Sequence, residues 1–238
     1  MNETKTEITT IEKKTDDWKN VRKLGNLINE NEDIKRRKIL ATSAFNKLST
    51  VWQRNHIINE GKRIRLYEAL ILPIILYNCG TWGLTKKNLD SLDSFHRKQM
   101  RRVLGIHWPE KISNEDLYTR CRVRTISSRV KEQRWRLFGH ILRRDETLPA
   151  QTSMKDYFRS GEKYRGRTPA SLPTTLNQDL QLYSKYIETT PEEDISQKQK
   201  DTHVPTSITT NRDLEELRTL AQDRDVWRDV FKWIHRVK

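Results

Sequence analysis

Metal-dependent phosphoryl transfer needs carboxylates set close together on a strand or turn, where they can hold a divalent cation. Adjacent acids that come into question are Asp16-Asp17, Glu115-Asp116 and Glu192-Glu193-Asp194. None has that setting. The first pair follows a polar run with no apolar strand before it. The second follows Ser113-Asn114 and reads as a helix cap, and the third lies in a polar acidic stretch expected to be irregular. A zinc site needs clustered thiols and imidazoles, but Cys79, His96, His107, Cys121 and His140 are spread out with no C-x₂-C or H-x₃₋₅-H pair. No glycine-rich phosphate loop and no recognisable nucleophile motif is present. No catalytic residue, no metal ligand and no cofactor is therefore expected in this chain. The two cysteines read as one buried filler and one surface thiol.

What does stand out is positive charge interleaved with aromatic rings. The 238 residues hold 46 Lys and Arg against 32 Asp and Glu, a net +14. Between His96 and Arg144 there are 14 basic and 4 acidic side chains, so 10 of those 14 net charges sit in about a fifth of the chain. Such a concentration predicts a polyanionic partner, RNA, DNA or a hybrid duplex, bound through phosphate neutralisation. Trp108, Trp135, Phe138 and Tyr164 lie among these bases, a mixture suited to phosphate contact with base or sugar stacking. The candidate binding residues are Lys23, Arg97, Lys98, Arg101, Arg102, Arg134, Arg136, Arg143, Arg144, Lys163, Tyr164, Arg165 and Arg167.

The elements that would position them are helices. Residues 33–54 repeat apolar side chains at helical spacing, with Asn31 or Asp33 as a plausible N-cap. A helix from about Glu60 to Tyr77 is apolar nearly all round in its second half, which makes it the most buried element, and Pro73 should kink it. Thr85 caps a helix over 86–104 that ends at Gly105 in a left-handed position. Ser113 caps a short helix to Cys121, and Thr125 caps one to about Arg144, in which the Arg134 stem is expected to snorkel along the apolar face. Shorter helices follow at 148–158 and 176–187, and Asn211 opens a C-terminal one. Residues 18–28 read as an extended piece or hairpin around Gly25, residues 1–17 and 189–210 as disordered, and 161–169 as an irregular basic loop. The longest apolar run, 69–77, is about half the length that spans a bilayer, and the N-terminus lacks a signal-peptide core. An intracellular protein, nuclear or cytoplasmic and off the membrane, is expected.

The ordered segments ALILPIILYNCGTW (69–82), FHR (95–97), RRVLGI (101–106) with Trp108, ISNEDLY (112–118), RWRLFGHILR (134–143) and GRTP (166–169) together resemble a known family. They look like the region that follows the catalytic palm in reverse transcriptases of LINE-type (non-LTR) retrotransposons. The resemblance covers roughly residues 18–180 and extends to Leu220–Arg228. It implies that 1–30 holds a tail and the end of the palm, with Lys23 near the primer grip. It further implies thumb-like helices over 31–105, basic post-thumb helices over 106–160, and a basic loop, linker and C-terminal helix over 161–238. The implied fold is mainly α, a thumb-like bundle with a short N-terminal hairpin and irregular C-terminal linkers. The implied role is to grip template–primer or element nucleic acid as part of an RNA-directed DNA polymerase, in company with the other polymerase domains. The family's aromatic-x-Asp-Asp strand is not among these residues, so magnesium would be held by the palm and no polymerisation is expected from this chain alone. A nucleic-acid-binding protein retained by a host is the alternative.

Overall fold

The computed structural model describes residues 22–23, 25–27, 29–53, 57–160 and 170–235. It is mainly α, as the spacing predicts. The one sheet among the described residues is a two-residue hairpin, β1 (Arg22–Lys23) against β2 (Asn26–Leu27), antiparallel with Lys23 opposite Asn26. Gly25 turns it at φ +85°, a conformation that costs a residue without a Cβ least. The following helix, α1 (Glu30–Lys47), starts at Asn29, whose side chain accepts from the Glu32 N–H. The cap thus falls two residues before the nearer of the expected positions. Asp33 is then free to accept the Leu27 N–H at 3.1 Å, while Arg37 donates to the Gly25 carbonyl and the Asn26 side chain. These bonds tie the hairpin to α1.

A short α2 (Ser49–Gln53) brings Trp52 onto Phe45, ring centroids 4.9 Å apart. The apolar segment around Pro73 is two helices, α3 (Glu60–Leu70) and α4 (Leu72–Ile75), divided at Ile71. Pro73 sits in the first turn of α4, where its missing N–H costs nothing, so the expected kink is a full break. Helix α5 (Lys86–Leu104) runs from a Thr85 cap to Gly105 at φ +79°, both as expected. Ser113 and Thr125 cap α6 (Asn114–Cys121) and α7 (Ile126–Leu142) in the same way. Glu115 and Asp116 occupy the first turn of α6, where their charge complements the exposed N–H groups.

Next come α8 (Pro149–Ser160) and α9 (Leu172–Thr189), the latter with a Ser171–Thr174 capping box. Residues 189–210 differ from the disordered linker expected. A 3₁₀ turn over Glu192–Asp194 leads into α10 (Gln197–Asp201), capped by Ser196, and Ile195, Gln199 and Ile208 are buried. The polar composition misleads because a few apolar anchors and local caps hold this segment. Gln199 bonds the Val230 carbonyl, Ser196 bonds Asp229, and Asn177 exchanges two hydrogen bonds with Ile208. The chain closes with α11 (Asn211–Gln222), α12 (Arg224–Val230) and a 3₁₀ turn, Phe231–His235.

Burial divides into two apolar clusters. One gathers α1 to α6 with the start of α7, from Ile34 to Val130; the other runs from Trp135 to Ile234. Helix α7 serves both.

Candidate nucleic-acid interface

Helix α5 carries its bases in two rows. Leu92, His96, Gln99, Met100 and Val103 point inward, which leaves Lys98 and Arg102, one turn apart, facing solvent. The Arg102 guanidinium lies over the Phe45 ring, 4.5 Å from its centroid, so the charge rests on an aromatic face while the residue remains exposed. Arg97 and Arg101 lie on the flank, half-buried. Arg101 donates to the Ile112 carbonyl and the Asn114 side chain at 3.2 and 2.8 Å. The bonds of Arg101 therefore secure the start of α6 and its leading loop.

Gly105 then turns the chain into a loop in which His107, Trp108, Glu110 and Lys111 are all exposed. Trp108 is 80% exposed, with the Lys111 ammonium 5.0 Å from its ring. A free indole beside Lys111 and the adjoining end of α5 provides a flat stacking surface in a positive field. Lys111 was not foreseen as a contact, and its spacing from Trp108 was the available signal.

On α7 the expected row is corrected at Arg134. Its side chain does not snorkel to solvent but is buried, 2% exposed, and donates to Asp179 of α9 at 2.6 Å. Asp179 also accepts from Trp135 Nε1 at 3.1 Å. Burial is possible because each charge meets its opposite; a lone arginine there would cost several kcal/mol. Arg134 is thus part of the second core and faces no phosphate. Arg136 and Arg144 are exposed, the first 3.5 Å from Glu132, the second 3.4 Å from His140. Arg143 is half-buried and donates to the Ala221 carbonyl of α11 at 3.0 Å. Burial, and then the like charge of Arg224, hold its guanidinium below the usual arginine range. Lys23 lies in β1, and Lys163, Tyr164, Arg165 and Arg167 lie outside the described residues.

The groups with chemical potential are packed as core. Cys79 and Cys121 are both buried, contrary to the surface thiol expected, and burial raises their thiols to about 12 and about 11. Such thiols stay protonated and unreactive at neutral pH. His96 accepts or donates one bond, to the Tyr67 hydroxyl at 3.0 Å, and burial lowers its pKa to about 3. No group of three His, Cys, Asp or Glu able to hold a metal occurs among the described residues, nor is any of their helices long and apolar enough to cross a membrane.

Fold and surface together define a mainly α protein with a basic, aromatic-bearing face. Over 154 residues the chain is 25% identical to an uncharacterized transposon-derived protein of Caenorhabditis elegans. The aligned stretch covers 62% of this chain and 54% of that protein, so the chain spans about half the length of its relative. This similarity points to a transposable-element origin. No family model and no solved structure matches the chain.

Proposed function

We propose that this chain is the thumb and post-thumb part of a LINE-type retrotransposon reverse transcriptase, and that it works by holding RNA, DNA or their hybrid through the phosphate backbone. The observation that carries the reading is the solvent-facing pair Lys98 and Arg102 beside exposed Trp108 and Lys111, within the segment holding most of the net charge. The transposon-derived relative and the ordered resemblance of residues 69–82, 95–118 and 134–143 support the same origin. In this reading α1 to α5 correspond to the thumb, and the face just described is its contact with nucleic acid. Arg97 and Arg101 reach phosphate only from the flank, and Arg136 and Arg144 extend the surface along α7. The partner is nucleic acid together with the rest of the polymerase, inside the cell.

Phosphate contact releases counterions, so the logarithm of the binding constant should fall linearly with the logarithm of salt, by about 0.9 per contact on duplex DNA. Filter binding of the full chain to a labelled duplex across a salt series measures this. Lys98→Ala with Arg102→Ala is expected to weaken all sequences about equally and flatten the slope by about two. Wild-type affinity and slope in that double variant would refute the reading.

A further inference from the structure

A second basic feature lies away from α5, where α7 meets the C-terminal helices. Two adjoining clefts, of about 210 and 480 Å³, share the side chains of Arg136, Arg143 and Arg224. The smaller also takes in Arg228 and a single carboxylate, Glu132, which is already divided between Arg124 at 2.8 Å and Arg136 at 3.5 Å. Arg228 is paired with Asp225 at 2.8 Å. Arg224 is exposed and has no ion pair among the described residues. Arg143 is held in place by its bond to the Ala221 carbonyl. Two guanidiniums 81 positions apart in sequence thus line one trough, and the larger of the clefts they share has no carboxylate in its lining. Like charges so placed repel, and an oxyanion bridging them would convert the repulsion into charge-assisted hydrogen bonds. The floor offers no recognition of bases, because Trp135, Trp227 and Phe231 are packed on one another and at most 6% exposed.

We infer that this trough is a phosphate clamp, in which Arg143 and Arg224 grip one phosphodiester of a polynucleotide backbone at a site separate from the α5 face. The inference rests on the nucleic-acid reading above. It makes the C-terminal helices part of the binding surface. A free phosphate presents the same oxygens, so the test separates the two sources.

Fluorescence anisotropy of a labelled single-stranded RNA is measured with the full chain, Arg224→Ala and Arg102→Ala across a salt series, and thermal melting is followed in phosphate against chloride at equal ionic strength. Because the Arg224 side chain is exposed and unpaired, Arg224→Ala should melt with the wild type in chloride. It is expected to bind RNA several-fold more weakly and to flatten the salt slope by about 0.7, the loss of one contact on a single strand. Wild-type RNA affinity and slope in Arg224→Ala, alongside weakened Arg102→Ala, would overturn the clamp and leave the wider reading intact. A phosphate-induced rise in melting temperature that Arg224→Ala abolishes, with RNA binding unchanged, would overturn the polynucleotide source in favour of free phosphate. RNA binding by the wild type that ignores salt would overturn the wider reading instead.

Discussion

Asp179 accepts hydrogen bonds from two neighbouring side chains of α7, and without it the Arg134 guanidinium would remain charged in an apolar core. Asp179→Ala is therefore expected to lower stability by about 3–5 kcal/mol in urea unfolding, whereas Arg134→Met combined with Asp179→Leu should be near neutral or stabilising. His96 gives a second test. Burial first, then the charges of Arg129 and Arg97, hold it near pKa 3, against about 6.5 in an unfolded chain. Protonation thus favours unfolding. The stability that depends on neutral His96 is complete above about pH 6.5 and is lost as pH falls towards 3, by up to about 1.4 kcal/mol per pH unit. Denaturation midpoints between pH 7 and 4.5 should fall less steeply in His96→Phe. At Trp108 the expectation reverses, since an 80% exposed ring adds little to stability. Trp108→Ala should leave the melting temperature unchanged and weaken single-strand binding by roughly 1–3 kcal/mol if a base stacks there.

Helix α7 shows how far an element can be read from its own residues. Its cap, length and apolar face are local properties, and Thr125, Val130, Phe138 and Leu142 revealed them. What Arg134 pairs with is not local. The signal was an acid inside the buried stripe of α9, Leu176, Asp179, Leu180 and Tyr183, but the pair spans 45 positions and nothing in either helix names the other. The same holds for Gly139. In an isolated helix Gly139→Ala would gain about 1 kcal/mol. Here the added Cβ would lie 2.5 Å from the Trp227 ring of α12, whose Nε1 donates to the Trp135 carbonyl at 3.2 Å. Overpacking should win, with a net loss of about 1–3 kcal/mol measurable by thermal melting. The break at Ile71 and the capped turns at 192–201 escaped for a related reason. Short elements carry too few residues to establish a period, and their anchors come from distant parts of the chain.

For the molecule as a whole, charge and helix content were visible in the sequence, because both are sums over residues. The distribution of that charge between surface and core was not. Of the bases expected to face phosphate on α5 and α7, Lys98, Arg102, Arg136 and Arg144 are exposed, Arg97, Arg101 and Arg143 are half-buried, the last two bonded to neighbouring elements, and Arg134 is inside. Arg224 joins the surface from 81 positions beyond Arg143, a neighbour only the tertiary fold could supply.

Helix α7 belongs to both apolar clusters, giving Ile126 and Val130 to the first and Trp135, Phe138 and Leu142 to the second. Ser128 in its first turns also donates to the Ile234 carbonyl at 3.0 Å. Melting of either half would strip α7 of part of its packing, so the two halves are expected to unfold together. Calorimetry of the chain should then give a single endotherm whose van't Hoff and calorimetric enthalpies agree. Ligand held at one end of the molecule should slow hydrogen exchange at the other through α7, without itself touching that end.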